Sequence, residues 1–216
     1  MKKSFAVIGL GRFGRSIAME LSKLGADVMV IDKNEELIEQ YSDVFTDAQV
    51  GDCTNKEVIR ALGVEDFDIC FVTIGDDFQS SLETTSLLKE LGAKKVVSRA
   101  SSDIHEKFLL RSGADEVIYP EKQLAEWAAT RYTSDHILDF VQIDSDHSIF
   151  ELTVPESWYG KTILELNIRK KYNINIIAFK ENGKINMSVT PDLCFSPLHS
   201  VLVVGRDRDI EKCFHI

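Results

Sequence analysis

The run Phe5–Gly14, FAVIGLGRFG, constrains this chain more than any other stretch. Apolar residues lead straight into a Gly-x-Gly-x-x-Gly turn, Phe13, Ile17, Leu21 and Leu24 then fall on one helical face, and a second apolar run ends in Asp32. Strand, turn, helix, strand and acid in that order describe a βαβ unit whose helix N-terminus offers N–H groups to an anion. Gly9 permits the tight turn, Gly11 lets the backbone approach a pyrophosphate, and Gly14 allows close packing of helix on sheet. The glycine pattern alone is weak; in this context it makes nucleotide binding the leading expectation.

Strand-like runs recur at Phe5–Ile8, Val28–Ile31, Phe45–Val50, Ile69–Ile74, Val96–Val97 and Val117–Tyr119. Helical patterns separate them, including one carrying Leu88 and Leu91 and another carrying Ile104, Phe108 and Leu109. Gly25, Gly63, Gly92 and Gly113 stand where helices need a left-handed terminating residue. Such alternation predicts an α/β fold, a Rossmann-like doubly wound parallel sheet.

The pattern changes after residue 134. Glu121–Tyr132 reads as a helix leaving the sheet and Thr133–Asp146 as a polar, partly helical connection. Strands are expected at Ser148–Val154, Ile174–Phe179, Lys184–Val189 and Ser200–Val204, with helices at Ile163–Lys171 and Asp207–Phe214. Asn182-Gly183 between apolar runs signals a hairpin. The expected organisation is a nucleotide-binding domain over 1–134 and a small α+β domain over 135–216.

Composition narrows the function. A net charge of −10 argues against a nucleic-acid polymer as partner, because phosphates call for a basic field. No stretch approaches the roughly 18 apolar residues of a membrane span, and Met1-Lys2-Lys3 leads into a strand and not a cleavable leader. A cytoplasmic protein without direct membrane insertion is expected. Cys53, Cys70, Cys194 and Cys213 lack zinc-site spacing and read as buried small hydrophobes.

Two roles are open for several polar residues. Asp32 suits ribose hydroxyls and would repel a 2′-phosphate, or it caps the next helix. Asp52 suits an adenine amino group, or caps a helix near Thr54–Leu62. Arg12, inside the glycine loop, and Arg99, after the fifth strand, suit a di- or triphosphate tail better than a nicotinamide ring, with a surface salt bridge the other reading of Arg99. Gly75 allows close backbone approach after the fourth strand.

The motifs IGLGRFG, VIDKNEE, VGDCTN, SRA and GADEVIYPEK, with IG at Gly75, together resemble the N-terminal RCK domain, the regulator of potassium conductance. The tail KTILELNIRKKYNINIIAFKENGKI is similar to the smaller C-terminal RCK domain, so the resemblance covers essentially the whole chain. It is strongest to the cytoplasmic gating subunits of Ktr-type potassium uptake systems. The resemblance implies a non-enzymatic switch: a homo-octameric ring of RCK dimers, peripheral on the inner membrane face, bound to a separate potassium-translocating membrane subunit. ATP or ADP in the N-terminal pocket would set the ring's shape. By position, Gly9, Gly11 and Gly14 would hold phosphates, Asp32 the ribose and Asp52 the adenine side, with Phe13, Lys33, Cys53, Gly75 and Arg99 around the same nucleotide. Arg12 matches an arginine that reaches the γ-phosphate of a neighbouring subunit's ATP. Glu121 matches a carboxylate that binds a divalent cation, Mg2+ or Ca2+, between subunits; its plainer role is to start a helix after Pro120. Ile163, Asn167, Arg169, Asn175 and Pro191 match a region that binds cyclic di-AMP in some relatives, although Ile163 is also spaced like a core position and Arg169 sits in a basic helix end.

A small NAD(H)-dependent oxidoreductase would share the glycine loop. Against it, Tyr119 and Lys122 stand at a strand end and not four apart on a helix, and His105, His136, His147, His199 and His215 form no acid–base pairing legible in sequence. A free-standing nucleotide sensor with another partner is the third reading.

Overall fold

The computed structural model describes residues 2–216, leaving Met1 outside the described residues. The chain divides into two compact units, one ending at Lys122 and one spanning Gln123–Ile216.

In the first unit, β1 (Ser4–Ile8), α1 (Arg12–Lys23), β2 (Asp27–Asp32), α2 (Glu35–Tyr41), β3 (Asp47–Val50) and α3 (Lys56–Ala61) are followed by β4 (Ile69–Val72), α4 (Phe78–Glu90), β5 (Val96–Arg99), α5 (Asp103–Arg111) and β6 (Glu116–Ile118). The strands form one parallel sheet in the order β3-β2-β1-β4-β5-β6. Alternate residues of β1 serve opposite faces, as the two-residue strand period requires. Phe5 and Val7 join a core with Ala18, Ile38 and partly buried Ile17 and Leu21, whereas Ala6 and Ile8 join Ile59, Leu62 and Leu88. Helices on both faces explain why β1 reads as an unbroken apolar run.

Gly25, Gly63, Gly92 and Gly113 all have positive φ, as expected of helix terminators. Two helical faces differ from expectation. Leu24, beyond the last turn of α1, is 83% exposed, while Ile17 and Leu21 pack partly buried beside the fully buried Gly14 and Ala18. Ile104 and Phe108 on α5 are also exposed, while Leu109 faces inward.

The division into units falls within α6 (Pro120–Tyr132), twelve residues before the expected limit at 134. Trp127 Nε1 donates to Asp139 and the Arg131 guanidinium to the Ile137 carbonyl, which ties most of this helix to the next strand of the chain. The second unit continues with β7 (Ile137–Gln142), β8 (His147–Thr153), α7 (Ile163–Leu166), α8 (Ile168–Tyr172), β9 (Asn175–Glu181), β10 (Lys184–Asn186), β11 (His199–Arg206) and α9 (Asp207–Phe214). Its antiparallel sheet runs β10-β9-β11-β8-β7.

β7 corrects the expected partly helical connection over Thr133–Asp146. A register shift between Ile137 and Asp139 against β8 breaks the alternation that would have announced a strand. The single helix expected over Ile163–Lys171 is two short helices, because Asn167 adopts a left-handed φ of 49°. The strand expected to reach Val189 stops at Asn186, whose side chain accepts from Ser188 N. Asn182 and Gly183 have φ of 50° and 75° and turn β9 into β10, the hairpin expected of that dipeptide. One face of the sheet and α9 enclose a core in which Trp158 packs on Phe214 and Phe195, with ring centroids 4.9 and 5.6 Å apart. Cys53, Cys70 and Cys213 are buried; Cys194 is exposed, at an isolated bridge to Thr162, contrary to expectation.

Candidate functional site

Parallel strands deliver their C-terminal ends to one edge of the sheet, and the order reverses between β1 and β4. A cavity of about 800 Å³ opens there, where open α/β sheets bind ligands. It collects residues from across the first unit: the glycine loop after β1, Asp32 at the end of β2 and Lys33 after it, Asp52 and Cys53 after β3, Gly75 after β4, Arg99 at the end of β5, and Glu121 in α6.

The glycine loop is held from below. Gly9 N donates to the Ile31 carbonyl at 2.7 Å, and Leu10 N donates to Asp32 Oδ2 at 2.6 Å. Gly14 is buried and does not line the cavity. A Cβ there would lie 1.9 Å from the Gly9 carbonyl oxygen and 2.5 Å from Thr73 Oγ1, so the helix can approach the loop only without a side chain. Gly11 differs, since a Cβ built on it meets nothing within 4 Å. Thr73 Oγ1 donates towards the carbonyls of Gly9 and Ile8, 2.6 and 3.0 Å away, and pins the loop to β4.

Helix N-termini show what is particular about α1. Asn34, Asn55, Asp77 and Ser102 accept backbone N–H groups at the starts of α2, α3, α4 and α5. The start of α1 has no side-chain cap and no acidic residue in its first turn, which begins with the exposed Arg12. Its first-turn N–H groups have no acceptor within the helix, and the dipole there favours negative charge.

Asp32 does not cap the following helix; Asn34 does. Asp32 Oδ1 instead accepts from Asn34 N at 2.8 Å, while Oδ2 holds Leu10 N. The carboxylate is fixed by two backbone donors at the lip of the cavity, with lone pairs to spare. Asp52 likewise leaves the capping to Asn55. It accepts from Thr54 N and Thr54 Oγ1 at 3.0 and 2.8 Å, and these bonds hold its carboxyl below the usual aspartate range. Burial, then the nearby Asp52 and Asp32 carboxylates, pushes the Cys53 thiol up to about 12, so Cys53 is a packing residue in the cavity wall and not a nucleophile.

Arg99 pairs with the Glu121 carboxylate and lies over Phe13, with 5.9 Å from guanidinium carbon to ring centroid. Gly75 makes room for it, because a Cβ there would stand 2.0 Å from Arg99 Nη1. Glu121 is held below the usual glutamate range first by its own backbone N–H, then by Arg99 and Arg12. The cavity thus has carboxylates beyond β2 and β3, a guanidinium at β5, and an uncapped helix start on α1. Such a layout suits a ligand with a hydrogen-bonding sugar or base at one end and an anion at the other.

Sequence reading missed Thr73, Ser16, Asp77 and Ser80, which also line the cavity. Only Thr73 left a local mark, as the one polar residue within the apolar run Ile69–Ile74.

The residues expected to touch a second nucleotide belong to the second unit. Thr162 and Glu165 form a capping box at α7. Ile163 N and Leu164 N donate to the carbonyls of Leu193 and Pro191 at 3.1 and 3.0 Å. Ile163 is half-buried against the core, whereas Asn167, Arg169, Asn175 and Pro191 are exposed.

Residues 5–120 match the TrkA-N domain and residues 148–215 the TrkA-C domain. The chain is 38% identical to Ktr system potassium uptake protein C of Bacillus subtilis (strain 168), covering 98% of this chain and 96% of the relative. It is 35% identical to Ktr system potassium uptake protein A of the same organism, covering 97% and 95%. Among solved structures, the GsuK RCK domain has the same fold, with a TM-score of 0.71 at 16% identity over 100% of this chain and 47% of that one. The GsuK channel bound to NAD gives 0.70 at 17% identity, over 97% of this chain and 38% of that one. With a TrkA-N domain followed by a TrkA-C domain, and relatives matched almost end to end, the chain belongs to the family of the Ktr system potassium uptake proteins.

Proposed function

We propose that the chain is a nucleotide-sensing regulatory subunit, with no catalytic role of its own, that controls a separate potassium-translocating membrane protein. The observation that carries this reading is the uncapped start of α1 facing a cavity that also holds Arg12, Arg99 and the fixed carboxylate of Asp32. An adenine nucleotide fits it, with phosphates at the α1 start, ribose hydroxyls on Asp32 and the base towards Asp52. No helix among the described residues is long and apolar enough to cross a membrane, which is consistent with action through a partner on the cytoplasmic face.

The switch is ATP against ADP. Arg12 is exposed at the first position of α1, where it can meet a γ-phosphate held by a second copy in a ring of RCK dimers, eight chains in all. The extra charge of ATP then favours one of two ring geometries. A divalent cation is left out of this scheme. Within one chain Glu121 offers a single carboxylate already paired with Arg99, and Mg2+ or Ca2+ needs several oxygen ligands. Cyclic di-AMP at the second unit is a subsidiary proposal, supported by the exposed Arg169, Asn167 and Asn175.

NAD(H) is the second reading, favoured by a cavity of about 800 Å³ and by the solved GsuK channel whose fold the chain shares and which is bound to NAD. Calorimetric titration with ATP, ADP, NADH and cyclic di-AMP separates the ligands. ATP and ADP are expected to bind the first unit; selective NADH binding with substrate-dependent oxidation would overturn the regulatory reading. Arg12→Ala should reduce the discrimination between ATP and ADP more than it reduces ADP binding, and equal losses would mean that Arg12 only screens the pyrophosphate.

A further inference from the structure

Arg99 is gripped on one side and exposed to competition on the other. Its side chain is 18% exposed, wedged against Gly75 and Phe13, whereas that of its partner Glu121 is 59% exposed. Arg99 Nε is buried and has no hydrogen-bond partner. A buried donor without an acceptor costs free energy that a further acceptor recovers. Arg99, Glu121, Phe13 and Gly75 all line the cavity described above.

From this geometry we infer that Arg99 is a contested cation: a nucleotide phosphate in the cavity draws the guanidinium from Glu121 and so unlatches the first turn of α6. The inference rests on the nucleotide reading above and gives that site a route outward. A carboxylate exposed to water holds an arginine weakly. A phosphate carries more charge and accepts the guanidinium fork bidentately, so it wins the exchange. Phe13 and Gly75 confine the guanidinium, which therefore has only a short way to turn. Glu121 keeps the favourable end of the helix dipole, so the loosening is confined to the first turn of α6. What changes is the tether between β5 and α6, the helix within which the first compact unit gives way to the second.

The test is a double-mutant cycle read by calorimetry in chelator-containing buffer, with the full-length chain carrying Glu121→Gln, Arg99→Gln or both, titrated with ADP and with adenosine. Glu121→Gln is expected to raise ADP affinity about two- to fivefold, the worth of an exposed ion pair, and to leave adenosine affinity unchanged. Arg99→Gln should lower ADP affinity and abolish the gain from Glu121→Gln. The same gain in the Arg99→Gln background would mean plain repulsion between carboxylate and phosphate, and would overturn the inference, as would no gain in the wild-type background. If Arg99→Gln does not fold, Arg99→Lys keeps the charge without the fork and should show a smaller gain. Amide exchange supplies the second readout: ADP should accelerate exchange at residues 124–126, whose N–H groups bond the carbonyls of the first turn of α6, in the wild type and not in Glu121→Gln, and equal behaviour would overturn the unlatching. Failure of the wild type to bind any adenine nucleotide would remove the nucleotide reading itself along with its consequence.

Discussion

β1 and β8 are both interior strands, yet four successive residues of β1, Phe5–Ile8, are buried while β8 alternates between half-buried and buried positions along its length. The difference follows strand direction. A parallel sheet is covered on both faces, and all its strands finish at the same edge. Residues as distant as Gly9, Asp32, Asp52, Arg99 and Glu121 therefore meet around one cavity. Antiparallel neighbours finish at opposite edges and are joined locally, as β9 and β10 are by Asn182-Gly183. The second unit satisfies its polar groups within short stretches, such as the Thr162–Glu165 capping box, and concentrates its apolar residues on one sheet face. The convergence of polar residues in the first unit is thus a consequence of topology, while the second unit is foremost a packed layer.

The largest effect expected of this contrast is in the second core. Phe195→Ala removes a side chain 2% exposed and in contact with Trp158, and should destabilise the second unit by about 3–5 kcal/mol. Both tryptophans, Trp127 and Trp158, lie in that unit, so their fluorescence follows its denaturation. ADP affinity should be unchanged in conditions where the variant is folded; a parallel loss would break the separation of roles. Next is Gly14→Ala, whose methyl group meets backbone at 1.9 Å. Overpacking of this kind costs about 1–3 kcal/mol. Calorimetry should show loss of nucleotide binding, with the tryptophan-detected transition unmoved. The smallest is Gly183→Ala, which forces a side chain onto a φ of 75° and should cost about 1 kcal/mol in the fluorescence-detected transition, without any change in nucleotide affinity.

The parts legible in the sequence were those written in local chemistry. The glycine loop, Asp32 closing β2, the helix-ending glycines and the Asn182-Gly183 turn each depend on a few adjacent residues and on backbone conformations that few side chains tolerate. β7 was hidden because its register shift removes the two-residue period. The break at Asn167 was hidden because Ile163 and Ile168 on either side of it are compatible with one continuous helix. Within the site, the seating of Arg99 against Gly75 joins residues from two strand ends, and no spacing rule encodes it. Thr73 reaching back to Gly9 is the same kind of contact, since only the pairing of β1 with β4 brings the two together. The capping roles of Asn34 and Asn55 were masked by the neighbouring aspartates, which are equally good capping residues by type but accept from other backbone donors, Asn34 N and Thr54 N.

The two glycines Gly11 and Gly14 carry different kinds of evolutionary memory. A Cβ at Gly14 collides with the protein's own backbone, whereas at Gly11, with φ of −58°, a side chain would meet nothing of the chain itself. A side chain at position 14 is therefore opposed by the fold itself, and one at position 11 only by a molecule that would lie against the loop. In a lineage that stopped binding its ligand, drift would reach Gly11 first and leave Gly14 in place. Under the proposed nucleotide reading, descendants of this chain would record the loss of binding at that one position while the fold persisted.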